Sequence, residues 1–299
     1  MKLIICICTY NRNSNLHGCL KSINKLRLGL NVQIKIIIVD NSIKNNSFKL
    51  VKKIKKSFKY KIIQLHEKRK GVVYARNKCL KALKKINPKY ICFFDDDCVV
   101  DRSWFKNAFR AMKFNNADVI TGPLLPLIKR SLRKKETFNY PKIFERNFNE
   151  NNKSVRWAAT NNVLLKYSIV KKNNLIFDKN LNRIGYGEDQ LFFLTLNKKG
   201  YQIYWVKNVK VYENIDSQRL NFNWLIMRSF KVGIVGYYID QVIYGRFIGL
   251  VINYFKSLYY FIRAISFVLL FFNRKFRIKI LNYFSRFYGR LVGPLVFKR

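Results

Sequence analysis

The first 120 residues repeat one alternation: an apolar run too short for a helix, followed by a stretch with apolar residues at helical spacing. Lys2–Cys8, Val32–Val39, Lys61–Leu65 and Tyr90–Phe94 read as strands. Their apolar residues are continuous rather than alternating, as expected of strands covered on both faces. The intervening segments read as helices. Leu16, Cys19, Leu20 and Ile23 mark the first, with Asn13 or Ser14 as its N-cap. A Lys-rich helix covers Phe48–Phe58, and Val72, Arg76, Cys79, Leu83 and Ile86 mark the next. Asp101 or Ser103 caps a fourth that runs to about Phe114. Such an alternation predicts an α/β fold with a doubly wound, mostly parallel sheet. In sheets of this kind, ligands bind beyond the carboxyl ends of the strands.

Three polar clusters fall at those ends: Thr9-Tyr10-Asn11, Asp40-Asn41-Ser42 and Asp95-Asp96-Asp97. The third says most. The chain has 16 Asp and Glu against 59 Lys and Arg, yet three carboxylates follow one another where Ile91-Cys92-Phe93-Phe94 ends. Adjacent carboxylates repel unless a cation offsets them. A hard divalent ion shared with a phosphate does this well. A solvated acidic loop is the plain alternative. The net charge of +43 implies an anionic partner: nucleic acid, an anionic membrane surface or a phosphorylated substrate. The basic residues are spread throughout and no nucleic-acid motif appears, so nucleic acid is not an expected partner; a charge-driven nucleic-acid binder is kept as the competing reading of another class. At 49% hydrophobic and 16% aromatic, disorder is not expected.

All six cysteines lie within the first hundred residues, without paired CxxC motifs. They are expected to be reduced, apolar-behaving thiols, with a reducing cytosolic setting as the default. Met1–Cys8 is too short for the apolar core of a secretion leader and reads as a strand. Neither His17 nor His66 has metal or triad spacing.

Beyond the alternation, Pro123–Asn152 is polar and irregular and is expected to form an excursion over the site, with order resuming at Val155-Arg156-Trp157. Gly185-Tyr186-Gly187-Glu188-Asp189 opens a helix with Leu191, Phe192, Thr195 and Leu196 inward and Gly200 as C′. Glu188 and Asp189 thus sit at a helix N-terminus, which favours the ionised carboxylate and suits a base; capping would select the same residues. From Asn221 the character changes. Phe247–Phe272 is strongly apolar, interrupted by Asn253, Lys256, Tyr260 and Arg263, which share one helix face. No charge-free run reaches the roughly 18–20 residues of a confident spanning helix. The pattern suggests amphipathic helices lying in, or dipping into, a membrane interface. Arg274, Lys275, Arg277, Lys279, Arg286 and Arg290 would meet anionic headgroups. An ordinary helical subdomain and a single tilted span are the other readings.

Ile7-Cys8-Thr9-Tyr10-Asn11-Arg12, Val39-Asp40-Asn41-Ser42, Gly71 with Ala75-Arg76-Asn77, Phe94-Asp95-Asp96-Asp97, Asn162, Phe177-Asp178 and Gly187-Glu188-Asp189 occur in a fixed order. That ordered set, across about residues 1–216, resembles the family 2 glycosyltransferases of GT-A fold, and the C-terminal half looks like their membrane-associated bacterial polysaccharide and lipopolysaccharide branch. The resemblance implies a GT-A domain over 1–216 and membrane-associated helices over 217–299. It implies an inverting, metal-dependent transfer of sugar from a nucleotide-diphosphate donor, UDP-sugar by default, to a hydroxyl of a glycan or lipid-linked glycan. Transfer to a polyprenyl phosphate is the alternative enzymatic reading, and a non-catalytic relative is a further one. Thr9, Tyr10, Arg12, Asp40, Arg76, Asp95 and Asp96 would bind the donor, with Asp40 on the nucleotide base. Asp95 and Asp97 would hold Mn²⁺ or Mg²⁺. Asp189 would be the general base supported by Glu188, and Trp157 and Asn162 would face the acceptor. The implied location is the cytoplasmic face of the inner membrane. One departure stands out: where many relatives place a metal-binding His, this chain reads Val211-Tyr212-Glu213-Asn214, which leaves Glu213 as the candidate in its place and the third metal ligand open.

Overall fold

The computed structural model describes residues 1–27, 32–128, 145–148 and 150–297, with the side chains of 274 and 275 left aside. Most of the expected Pro123–Asn152 excursion therefore lies outside the described residues. The chain divides into two compact units: Met1–Phe177 with Phe192–Ile215, and Asp178–Leu191 with Asp216–Arg299. Residues 178–191, expected with the first domain, thus belong with the C-terminal helices.

In the first unit the predicted alternation appears as β1 (Lys2–Thr9), α1 (Asn13–Asn24), β2 (Gln33–Asp40), α2 (Phe48–Lys55), β3 (Lys61–His66), α3 (Val72–Ile86), β4 (Tyr90–Asp95), β5 (Cys98–Val100) and α4 (Trp104–Phe114). There follow β6 (Val119–Thr121), β7 (Leu124–Leu127), β8 (Lys153–Ser154), β9 (Val163–Lys166), α5 (Tyr167–Lys172), α6 (Glu188–Lys198), β10 (Ile203–Trp205) and β11 (Val211–Asn214). The unit boundary falls inside α6.

The main sheet has the order β3-β2-β1-β4-β9-β6-β10-β8. The β3-β2-β1-β4 half is parallel, as predicted. β9 is antiparallel to both β4 and β6, so the sheet is mixed beyond β4. Alternate residues of β1 explain its unbroken apolar run. Leu3, Ile5 and Ile7 join a core with α1, α2 and α4, while Ile4 and Cys6 join one with α3, α5 and α6. Burying side chains such as Trp104, Phe93 and Phe94 contributes roughly 1.5–3 kcal/mol each.

Register sets up the site. Thr9 pairs with Asp40, Cys8 with Asp95, and Asp40 with His66, so the polar strand ends share one edge. A second sheet, β5-β11-β7, forms beside it. β7 lies where an irregular stretch was expected; Pro126 obscures the pattern, yet the strand runs parallel to β11. Order was expected from Val155; β8 pairs with β10 just before it, the Val155 amide donates to the Ile203 carbonyl at 2.9 Å, and the longer strand β9 follows from Val163.

The second unit carries two short 3₁₀ turns, Lys179–Arg183 and Ser217–Leu220, then α7 (Phe222–Tyr244), α8 (Arg246–Ile265) and α9 (Arg274–Val296). Asp178 caps the first turn, accepting from the Asn180 amide at 2.9 Å and the Tyr238 hydroxyl at 2.7 Å. The helices approach through glycine: a methyl at Gly289 would sit 2.1 Å from the Phe230 carbonyl oxygen, and one at Gly233 2.3 Å from that of Arg286. Inside, Asp240 accepts from Lys256 Nζ at 2.7 Å and from Arg290 at 2.9 Å, and Arg290 also donates to Asn253 at 2.9 Å. Asn253, Lys256, Tyr260 and Arg263 were expected to share one face of an amphipathic helix. Of these, Asn253 is buried and the 46%-exposed Lys256 reaches in to Asp240, while Phe247, Tyr254, Phe255 and Ile262 are exposed. Among the described residues, no helix is long and apolar enough to cross a membrane.

Candidate active site

Two arginines and a threonine surround the three carboxylates. Asp96 is buried and accepts from the Thr9 hydroxyl at 2.7 Å. Arg12 reaches Asp97 at 3.1 Å and Asp96 at 3.4 Å. Arg76, buried on α3, donates to Asp95 at 3.1 Å. The side chains of Asp95 and Arg12 are 35% and 41% exposed, so these two can meet a ligand without unfolding anything. Burial pushes the Asp96 carboxyl above its usual range, and the Thr9 and Arg12 hydrogen bonds only partly offset this. Asp96 is thus the anchored member of the three and Asp95 the accessible one.

The start of α1 explains Arg12. The expected Asn13 or Ser14 cap is not used: Arg12 occupies the N-cap position without a side-chain cap bond. Its guanidinium goes to the carboxylates, and the Asn13 amide goes to the Asn46 carbonyl at 3.0 Å. Asn11 turns the chain between them at φ +54°, a conformation Asn tolerates better than most residues. Tyr10 stands exposed beside this turn.

Asp40 sits at the same sheet edge but is buried under its own loop. One carboxylate oxygen accepts from the Ser42 amide at 2.8 Å, the other from the Ser47 amide at 2.7 Å. Burial alone would raise its pKa, but these hydrogen bonds outweigh it and hold the carboxyl below the ordinary range. The geometry makes Asp40 the holder of the loop; contact with a base rests on the sequence resemblance. Asn41 does the equivalent for the next loop. Its amide donates to the Glu67 and Arg69 carbonyls at 2.8 and 2.7 Å and its oxygen accepts from Gly71 at 2.8 Å. Gly71 has φ +134°, which a side chain rarely adopts, and α3 with Arg76 starts there.

Asn162 was expected on the acceptor side. It is buried: its oxygen accepts from Trp104 Nε1 at 2.7 Å, and its amide donates to the Pro123 and Val209 carbonyls at 2.9 and 2.8 Å. A buried indole N–H needs a partner, and Asn162 supplies it; the residue is an interior brace. Trp157 packs against the core, with the Arg146 guanidinium 4.0 Å above its ring.

In the second unit, Glu188 is buried and Asp189 half-buried in the first turn of α6. Asp189 accepts from the Gln190 amide at 2.7 Å. Gly187, at φ +81°, packs against Val235.

Among the described residues, no three His, Cys, Asp or Glu side chains converge tightly enough to hold a metal on their own. Burial drives the Cys19, Cys92 and Cys98 thiols well up, so they stay protonated and are poor metal ligands. Asp95 and Asp97 nevertheless fit a hard divalent ion that takes its remaining oxygens from a diphosphate and water. Glu213 is buried on β11, paired in register with Cys98, and the Asn214 amide donates to the Asp97 carbonyl at 2.9 Å.

The family model for glycosyl transferase family 2 matches residues 4–173. The chain belongs to this family. It is a glycosyltransferase. The succinoglycan biosynthesis protein ExoM of Rhizobium meliloti is 24% identical over 231 residues, 76% of this chain and 71% of ExoM. The poly(ribitol-phosphate) beta-N-acetylglucosaminyltransferase TarP of Staphylococcus aureus is 25% identical, covering 68% of this chain and 60% of TarP. Two solved structures share the fold. S. aureus TarS 1–349 in complex with UDP has a TM-score of 0.55 at 14% identity, covering 97% of this chain and 91% of that one. The mannosyltransferase PcManGT of Pyrobaculum calidifontis, with GDP-Man and Mn²⁺, has a TM-score of 0.62 at 11% identity, covering 97% and 86%. The first unit is therefore an α/β GT-A fold.

For a glycosyltransferase of this family, the chemical content of the first unit is a cationic rim on an acidic strand end. Sequence reasoning missed part of that edge. Glu67 follows β3, is buried, and is paired with Arg69 at 2.9 Å. The signal was the one used for Asp95–Asp97: an acid at a strand end in a chain with few acids.

Proposed function

We propose that this glycosyltransferase is inverting and metal-dependent, and that it moves a sugar from a nucleotide-diphosphate donor, a UDP-sugar by default, to a hydroxyl of a glycan or lipid-linked glycan during cell-envelope polysaccharide assembly. The observation that carries the reading is the Asp95–Asp97 cluster, with Arg12 and Arg76 within hydrogen-bond reach, at the carboxyl edge of a parallel sheet. Support for the donor comes from neighbours of like fold bound to UDP, UDP-GlcNAc and GDP-Man. Support for the biological setting comes from ExoM and TarP and from a teichoic acid poly(glycerol phosphate) polymerase of Staphylococcus epidermidis, 28% identical over 186 residues, 60% of this chain but only 24% of that protein.

Asp95 and Asp97 would hold Mn²⁺ or Mg²⁺, which, bound with the diphosphate, supplies charge neutralisation to the departing nucleotide. Arg12 and Arg76, each within hydrogen-bond reach of these carboxylates, would place guanidinium donors beside the diphosphate. Thr9 keeps Asp96 in place, between the partly exposed Asp95 and the buried Asp97. Tyr10 offers an exposed ring for the base. Asp189, in the role the resemblance gives it, accepts the proton of the acceptor hydroxyl as that oxygen attacks the anomeric carbon opposite the leaving group; Glu188 supports it. The partner membrane surface is anionic, at the cytoplasmic face, where lipid-linked acceptors are held.

The test is donor binding by calorimetry: a panel of nucleotide sugars, with and without Mn²⁺, on wild type and on Asp95→Ala/Asp97→Ala. Metal-dependent binding of one donor, lost in the double variant, is the expected result. Binding of a donor with equal strength in the variant and without metal would overturn the metal assignment.

A further inference from the structure

Helix α8 is inside out for a soluble protein. Its buried residues are Gly249, Asn253, Ser257 and Ala264, small or polar at helical spacing. Its exposed residues are large and apolar: Phe247 is 79% exposed, Tyr254 64% and Phe255 63%. The exposed apolar surface continues past the helix end to Leu269 and Phe272, 95% and 97% exposed. A contiguous apolar surface of this extent is not left in water by a soluble monomer. The interior has the opposite bias. Buried Asp240, Arg290 and Asn253 are joined by hydrogen bonds, with Lys256 reaching Asp240 from the edge, and glycines bring the backbones of α7 and α9 together. Small-residue seams with polar glue hold helices together where the surrounding medium is itself apolar.

We propose that the exposed face of α8, continued through residues 266–272, lies in the plane of a bilayer that carries anionic headgroups. This deepens the membrane partner named above by assigning the inserted face. Insertion is in-plane because no described helix is long and apolar enough to cross. The charge selects lipid over a second copy of this chain. Every charged side chain after Asp240 is a Lys or an Arg. A second copy would bring two such surfaces together, whereas anionic headgroups neutralise one, each nearby basic residue adding roughly 1 kcal/mol of attraction. The 20 residues of α8 would lie along the boundary for about 30 Å.

The test uses the full chain and needs no sugar donor, so failure of glycosyl transfer leaves it intact. The chain is floated with phosphatidylcholine vesicles, with and without phosphatidylglycerol. Binding to the anionic vesicles is expected, falling by roughly tenfold or more in Phe247→Ser/Phe255→Ser and in Leu269→Ser/Phe272→Ser, with an unchanged circular dichroism spectrum. Leu258→Trp should gain emission that brominated acyl chains quench. A chain that stays in solution as a monomer overturns the proposal. So does a dimer that the same substitutions dissociate, or vesicle binding that neither double variant weakens.

Discussion

The two units solve the burial problem in opposite ways. In the first, apolar strands fill two cores and the carboxylates gather at a sheet edge, with Asp95 in reach of solvent. In the second, Asp240 and Arg290 are buried while Phe255 and Leu269 stand outside. A polar group at an edge is free to serve chemistry, and its removal leaves the core intact. A polar group buried among helices fixes their register, and its removal leaves charged partners stranded. The same residue type therefore answers to function in one unit and to stability in the other.

Paired substitutions test this most strongly. Asp240→Ala should cost about 3–5 kcal/mol in the second unit, because Arg290 loses its buried counter-charge. Asp95→Ala should cost less than that, because the Asp95 end of its pair with the buried Arg76 is 35% exposed, while transfer falls by about a hundredfold or more. Hydrogen exchange resolved by unit, rather than one melting curve, measures the first, since two units need not unfold in one step. Equal stability losses would remove the contrast. Asp189→Asn should lower transfer by roughly 10²–10⁴-fold with donor affinity kept. A matching loss of donor affinity, read by calorimetry, would move Asp189 from base to binding residue.

Apolar residues should divide the other way. Phe93, fully enclosed and edge-on to Phe177, should cost about 3–5 kcal/mol on truncation to Ala. Phe255→Ser, at an exposed position, should change stability in water by no more than about 0.5 kcal/mol. A cost comparable to Phe93→Ala would mean that the α8 face is covered in solution. Between these sits Gly289→Ala. Its methyl would meet the Phe230 carbonyl, and about 1–3 kcal/mol of overpacking is expected.

The same contrast explains what could be read in advance. Continuous apolar runs identified β1 to β4, because strands covered on both faces leave no alternation. The scarcity of acids drew attention to Asp95–Asp97. Spacing also placed Asn253, Lys256, Tyr260 and Arg263 on one face of α8, but periodicity names a face without saying which way it turns. Asn253 turns inward because its partner Arg290 and the buried Asp240 lie on two other helices. Asn162 was expected on the acceptor side from the resemblance alone, and its partner, the Trp104 indole, lies 58 residues away, where spacing gives no signal. Arg12 was read as a donor-binding residue, but its carboxylate partners lie more than eighty residues away.

The smallest expected effect separates carboxylates within the first unit. Asp40 and Glu67 are held below their ordinary range, Asp40 by the Ser42 and Ser47 hydrogen bonds that outweigh burial, Glu67 chiefly by Arg69. A depressed acid stabilises the fold above its unfolded value and loses that contribution as pH falls through its folded value. Asp96 is raised by burial, so it works against this: it favours the folded state below its unfolded value and loses that as pH rises through its folded one. Stability should therefore decline in acid, the Asp40 contribution disappearing below the ordinary aspartate value of 3.8. Asp40→Asn should lower stability at neutral pH and flatten the decline below that value. Asp96→Asn should steepen the decline just above it, because a group that took up protons on folding has gone. Chemical denaturation from pH 7 to 3, followed in the first unit, measures both. Two variants with the same change of slope would show that burial does not set Asp96 apart from the carboxylate that holds the neighbouring loop.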